Sequence, residues 1–513
     1  MPRRVKKISS RNKILLFLAI LIVIPVVLFA YQQQQVRLSG KPNIIIILTD
    51  DQRADTLQYM PIVQDRLGKE GVTFANAYAT TPLCCPSRVS IYTGLYAHNT
   101  GIFTNHMPKK GDFPLGGFPA FGGSSPYANR DDETIAVWLK RSGYRTGFAG
   151  KYLNGYKSKY IPPGWDDWNG VVKNTYYGYD MNENGKIVSY GFDPKNYSTD
   201  VYADKAVKFI KKTKKPFFFV VSTDAVHTDG GKTAPGDPRN KNKKNKKNRL
   251  PNVKAVLDED QDDPDQVKDY YAMPAPVDRE NCEEHLWGKS PAVNEADVSD
   301  KPQFIRDITP LSNQDMADIE SFRESQICAL LGVDRAVERI LQALGDRRDN
   351  TVIIFMGDNG FSWGEHRWSK KNCLYEECAR VPLVISYPKL TKNAHENNSF
   401  VLNIDIASTI AQLAGIRIPV RVNGKSLVPL LSDPQGSVRS DFLLEVYNSR
   451  KGYKNIDYAV RTREYKYTEL SSGEKELYDF TTDPYELVNQ INNSQYATVR
   501  SDLSQRLYEL KQE

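Results

Sequence analysis

Four short apolar runs constrain this chain most: NIIIILTDD at 43–51, PFFFVVSTDAVH at 216–227, TVIIFMGDNG at 351–360 and VPLVISYP at 381–388. None alternates apolar with polar residues, and each stops at polar or turn residues. That is the pattern of a strand buried on both faces, as in a parallel sheet. Helical patterns lie between the runs. Residues 132–144 end at Gly143, placed as a C-capping glycine, and the amphipathic stretch 317–345 leads into the third run. Strand and helix in alternation predict an α/β fold, a doubly wound and mostly parallel sheet with helices on both faces.

The chain, at 513 residues, exceeds what one compact core organises, so a smaller companion unit is expected. The pattern places a large main domain at 42–435, with a charged, proline-containing rim insertion at about 229–315. Residues 436–513 read as a small C-terminal α+β subdomain: YAVRTREYKYTEL and EKELYDF as short antiparallel strands, then a closing helix. No internal repeat is visible.

The N-terminus reads as a basic cytoplasmic tail (1–13), an apolar segment (14–31, ILLFLAILIVIPVVLFAY) and a linker (32–41). The apolar segment is just long enough to span a bilayer, and its basic flank places residues 1–13 in the cytoplasm. The expected location is therefore extracytoplasmic, anchored to the membrane by one helix, or secreted if the segment is cleaved. With 26% charged residues and a mean hydropathy of −0.53, the rest is not a polytopic membrane protein. Six positive charges lie in the tail and six in KNKKNKKNR (241–249), so the net charge of +7 becomes −5 for the remainder. The basicity is local, a Lys/Asn-rich run of this kind is a solvated loop first and a polyanion patch second, and no nucleic-acid partner is expected.

Chemistry gathers at the ends of the strands, because open α/β sheets bind ligands beyond their carboxyl edge. One run ends in Asp50-Asp51, another in Asp358-Asn359, and a third leads to His227. Three carboxylates and an amide make an all-oxygen donor set suited to Ca²⁺, with Mg²⁺ as the alternative. TPLCCPSRVSIYTG (81–94) reads as a helix beginning near Pro86 with Cys84 and Cys85 at its N-terminus, where unpaired N–H groups favour an anion. Arg88, one turn in, adds a fork of donors shaped for a tetrahedral oxyanion. Six cysteines do not make a disulfide scaffold; Cys373 and Cys378 are close enough to pair, while Cys282 and Cys328 read most simply as buried or free thiols.

These residues resemble the formylglycine-dependent sulfatases of the alkaline phosphatase superfamily. The nucleophile motif C-x-P-S-R with a following T-G reads here Cys84, Pro86, Ser87, Arg88 and Thr93-Gly94, and the second signature is GYRTGFAGKYL at 143–153. RTREYKY and ELYDFTTDPYEL are similar to elements of that family's C-terminal subdomain. The resemblance implies that Cys84 is converted to formylglycine by a maturation enzyme encoded elsewhere, while Cys85 stays an ordinary side chain. It implies Asp50, Asp51, Asp358 and Asn359 as metal ligands together with the modified Cys84, and Arg88, Lys151 and Lys371 as sulfate-holding cations. Lys371 is chosen over Lys370 for its spacing to Tyr375-Glu376. His227 matches the group facing the ester oxygen. GKYLN resembles glucosamine-6-sulfatases and extracellular endosulfatases, which points to a sulfated sugar as substrate, with Asn154, His98 and His366 as candidate contacts. The alternatives are a phosphate or phosphonate monoesterase of the same superfamily and, from another class, a membrane-anchored polyanion-binding protein.

Overall fold

The computed structural model describes residues 40–513 apart from 107–114, 124–129, 157–158, 173, 229–273, 283–284, 286, 392–393 and 449–454. The body from Pro42 to Glu513 is organised by one ten-stranded sheet. Its strand order is His395–Leu402, Val72–Tyr78, Leu383–Ser386, Thr351–Gly357, Asn43–Thr49, Phe217–Ser222, Arg145–Gly150, Asp167–Val171, Asp180–Glu183 and Lys186–Ser189. The five strands from Thr351–Gly357 to Asp167–Val171 are parallel, and three of them fall in the apolar runs 43–51, 216–227 and 351–360.

Both faces of the central strand are covered. Ile45 and Ile47 pack with Phe219, Val221, Ile353 and Phe355 into a core closed by Phe209 and Ile210 of helix Ser198–Lys212 and by Leu330, Val333 and Val337 of helix Asn313–Leu344. Ile44, Ile46 and Leu48 point the other way, as strand geometry dictates, and are equally buried. The long helix starts at a capping box in which the Asp315 N–H donates to Ser312 Oγ (3.2 Å) and the Ser312 N–H donates to Asp315 Oδ2 (2.8 Å).

The carboxyl-terminal strands form a separate four-stranded antiparallel sheet, Asp441–Asn448, Asn455–Thr462, Tyr465–Glu469 and Lys475–Asp479. Helix Ala497–Leu510 lays Leu503, Leu507 and Leu510 against Leu443, Val460, Tyr467 and Leu477 of that sheet. The same cluster contains Tyr78, Leu374 and Phe400 from the main body, so the two sheets share apolar packing.

The structure corrects three expectations. The run 381–388 is a buried strand, but it pairs antiparallel to Thr351–Gly357. After Gly357 the chain stays at the carboxyl edge of the sheet through residues 358–382, so the next strand starts at that edge and runs back. Cys282 and Cys328 are joined by a disulfide, like Cys373 and Cys378, because the long helix carries Cys328 to the side of Cys282 across a separation of 46 residues. The membrane-anchored placement is also corrected: no helix among the described residues is long and apolar enough to cross a membrane. The apolar segment 14–31 and the basic run 241–249 lie outside the described residues, as does much of the rim insertion.

These pairings make a chemical prediction. Alkylation in denaturant without reductant will label no cysteine other than Cys84 and Cys85; label on Cys282 or Cys373 contradicts the pairing. The double substitution Cys282→Ser, Cys328→Ser will lower stability by about 4 kcal/mol, the loop-closure entropy for a loop of this length, read as a shift in the denaturant midpoint.

Candidate active site

Strand register places the site. Leu48 lies opposite Ser222, Thr49 opposite Gly357, and Gly150 opposite Ser222, so Asp50-Asp51, Asp358-Asn359, Lys151 and the segment leading to His227 leave the sheet side by side. Cys84 opens helix Cys84–Thr93, whose ten residues are all buried and which ends at Gly94 with φ 74°, a left-handed conformation that glycine adopts without cost. The helix start is held by the Cys85 N–H donating to Asn105 Oδ1 at 2.9 Å.

Cys84 is the meeting point of the cluster. Its Sγ–H donates to Asp50 Oδ1 at 3.3 Å, and Lys371 Nζ donates to Sγ at 2.9 Å and to both oxygens of Asp51 at 2.8 and 2.9 Å. Lys151 is ion-paired with Asp50. Arg88 Nε donates to Asp358 Oδ2 at 2.7 Å, and one terminal nitrogen donates to the Lys151 carbonyl and to Ser222 Oγ, both at 2.7 Å. Its other terminal nitrogen lies 3.7 Å from Asp50 Oδ2 and is buried without a hydrogen-bond partner. The His227 Nδ1 faces the Thr228 carbonyl at 2.7 Å, an acceptor that places the proton on Nδ1, and its Nε2 lies 3.7 Å from Asp51 Oδ2.

One oxygen from each of Asp50, Asp51 and Asp358 falls within 4.8 Å of the other two. Asn359 Nδ2 donates to Asp51 Oδ1 at 2.7 Å and to the Gly360 carbonyl at 2.8 Å, which leaves Asn359 Oδ1 buried and unpartnered. This donor set, three carboxylates and an orphaned amide oxygen, fits a hard divalent cation.

Burial would raise the carboxyl of Asp50, but Lys151, His227, Arg88 and Lys371 outweigh it and hold the group well below its ordinary value. Asp358 goes the other way: burial and the nearby Asp50 push it up to about 6, against Arg88. Burial and then Asp50 push the Cys84 thiol upward, so it stays protonated at neutral pH. Burial and Lys371 push His227 down.

Nine of the anticipated residues therefore meet: Asp50, Asp51, Cys84, Arg88, Lys151, His227, Asp358, Asn359 and Lys371. Two of the others are engaged elsewhere. His98 is bonded through Nδ1 to Glu445 (2.8 Å) and stacked on Tyr96, and His366 is bonded through Nδ1 to Glu295 (2.7 Å) and stacked on Tyr375. Asn154 accepts the Phe118 N–H at its carbonyl (2.7 Å), and its Oδ1 is buried without a partner. Three supporting residues were given no role by the sequence reading. Ser87 donates to the Asp358 carbonyl and accepts from Asn403 Nδ2 at 2.9 Å, and Ser222 accepts from Arg88. Ser87 was signalled by its place in C-x-P-S-R; Asn403 and Ser222 carry no local signal, since only the folded sheet brings them near.

Removing a single buried charge exposes the dependence of the cluster on its partners. Arg88→Met will strand Asp358 and cost about 3–5 kcal/mol of stability by denaturant unfolding. An unchanged midpoint would mean that the pair is not formed.

The sulfatase family model matches residues 42–416, and a model described as N-sulphoglucosamine sulphohydrolase, C-terminal, matches 364–513. An extracellular sulfatase SULF-1 homolog of Drosophila melanogaster is 31% identical over 81% of this chain, which spans 34% of that relative's length. An N-acetylglucosamine-6-O-sulfatase of Bacteroides thetaiotaomicron is 27% identical over 92% of this chain and 87% of its own length. A solved structure in complex with its substrate D-glucosamine-2-N,6-O-disulfate shares the fold, with a TM-score of 0.67 at 24% identity, covering 92% of this chain and 98% of that one. On the family match, which takes in most of its length, the chain belongs to the sulfatase family.

Proposed function

We propose that this protein hydrolyses sulfate monoesters of a sugar, 6-O-sulfated glucosamine being the substrate class that its named relatives favour. The observation that carries the reading is the convergence of Cys84 with three carboxylates and three fixed cations at the carboxyl edge of the sheet. The formal charges of those six groups cancel, so a bound divalent cation leaves the site with a net positive charge that favours an anionic ester.

Asp50, Asp51, Asp358 and Asn359 Oδ1 would hold the cation, Ca²⁺ or Mg²⁺, and Cys84 would be present as formylglycine. Once hydrated, formylglycine supplies an oxygen nucleophile in place of sulfur and a second hydroxyl for product release, and the cation supplies the Lewis acidity that activates a hydroxyl. Arg88 orients Asp358 and keeps one terminal nitrogen without a partner. The Lys151 and Lys371 ammonium groups would hold sulfate oxygens and offset charge that grows in the transition state. His227 moves a proton at Nε2, since its Nδ1–H is held by Thr228. Conversion of Cys84 requires a maturation enzyme.

Three fixed cations suit any tetrahedral oxyanion, so sulfate and phosphate monoesters of one alcohol should be compared directly. A large excess of kcat/KM for the sulfate is expected; a preference for phosphate would assign the chain to the phosphate or phosphonate monoesterases. His227→Asn is expected to lower kcat on a sugar sulfate by about 10²–10⁴-fold and to have a much smaller effect on an aryl sulfate whose leaving group needs no proton. Equal losses on both esters would remove His227 from that role. Chelation should abolish turnover, and added Ca²⁺ or Mg²⁺ should restore it.

A further inference from the structure

Lys371 reaches Cys84 and Asp51 from a stretch with little regular structure of its own. Between Gly364 and Arg380 only Ser369–Lys370, a two-residue strand, and Glu376–Ala379, a single helical turn, are regular. A long, flexible side chain on such a segment finds one position only if the backbone beneath it is fixed.

The fixing groups come largely from the C-terminal subdomain. Lys466, on strand Tyr465–Glu469, donates to the Leu374 carbonyl at 2.7 Å and is ion-paired with Glu486. Glu486 in turn accepts the Glu376 N–H at 3.0 Å. Glu476 accepts the Tyr375 hydroxyl at 2.9 Å and the Tyr478 hydroxyl at 2.6 Å, and Arg461 Nε donates to Glu376 Oε1 at 3.1 Å. Three consecutive residues, 374 to 376, are thus each gripped by the last part of the chain. On its other side the segment is joined to the nucleophile loop, the Asn372 N–H donating to the Pro82 carbonyl at 3.0 Å, two residues before Cys84. His366 stacks on Tyr375 at 4.2 Å, which gives that histidine a place in the same assembly.

The side chains of Lys466 and Glu486 are each only 1% exposed. Burying such a pair costs desolvation that its mutual attraction barely offsets, and well-packed apolar residues would serve stability as well or better. What apolar residues would not do is bond simultaneously to the Leu374 carbonyl and the Glu376 N–H.

We propose that the Lys466–Glu486 pair is a positioning device by which the C-terminal subdomain holds Lys371 in register with Cys84 and Asp51. This rests on the role given above to Lys371 in holding the sulfate group. The mature full-length protein with an aryl sulfate as probe tests it through a double-mutant cycle. Lys371→Met alone should lower kcat/KM by about 10²–10³-fold, the range for loss of one group that stabilises the transition state. Lys466→Met alone should lower it about 10- to 100-fold, as a displacement of about an ångström does. In the double variant the Lys466→Met effect should largely vanish, because the group it positions is already gone. General loosening of the fold would instead lower activity by the same factor in both backgrounds, and that result overturns the proposal; so does a folded Lys466→Met protein of wild-type kcat/KM. If Lys466→Met is not recovered folded, the paired substitution Lys466→Met, Glu486→Met, which removes both bonds without leaving a buried charge unpaired, carries the same cycle with the same outcomes. Full activity of Lys371→Met, by contrast, removes the sulfate-holding role itself rather than the positioning argument.

Discussion

Parallel pairing of three neighbouring strands decides where the charged side chains of this protein can go. With Thr49 level with Gly357 and Leu48 level with Ser222, the chain must turn out of the sheet at Asp50, Asp358 and Thr223 along one edge. Asp50, Arg88 and Asp358 then sit with no exposed surface, and such groups persist only in mutual compensation. Each makes contacts that answer this demand: Arg88 with Asp358, Lys151 with Asp50, Lys371 with Asp51. Because no acid in the cluster lacks a base, the site is stable enough to exist in a folded protein. Each base is in turn held by an acid of the cluster.

Much of this was legible in the sequence for a physical reason. Fully buried strands must be uninterrupted apolar runs, and a run that ends abruptly in Asp-Asp or Asp-Asn announces both the sheet and its functional edge. The helix that opens at Cys84 was legible from the proline after the cysteines, which placed its start near Pro86, two residues late. Strand direction was not: residues 381–388 have the composition of a parallel strand and are as buried as one, and only the return of the chain from the same edge makes the pairing antiparallel. The Cys282–Cys328 pairing was also hidden, because a separation of 46 residues carries no signal until the long helix bridges it. His98 and His366 stand near the motifs in the sequence, yet the Nδ1 of one is bonded to Glu445 and that of the other to Glu295, both outside the cluster. Nearness along the chain is a weak guide when the site is assembled from strand ends hundreds of residues apart.

The C-terminal sheet acquires a place in this scheme that its size does not suggest. Its apolar face shares a core with Tyr78 and Phe400 of the main body, and its buried polar residues reach the segment that carries Lys371. The loop before Cys84 and that segment are joined at Pro82 and Asn372, so the helix at Cys84, the lysine beside it and the last strands of the chain form one connected assembly. A site built this way depends on distant parts of the body for its geometry, although Cys84, Asp50 and His227 each offer an atom within 4.8 Å of the other two.

The chemistry proposed for this site turns on the chemical identity of position 84. Mass spectrometry of the tryptic peptide from Glu70 to Arg88, taken from a preparation that hydrolyses sulfate esters, measures it directly. Replacement of the thiol by an aldehyde lowers the peptide mass by about 18 Da, and that loss is the result expected. A fully active preparation in which Cys84 keeps its sulfur would contradict the account.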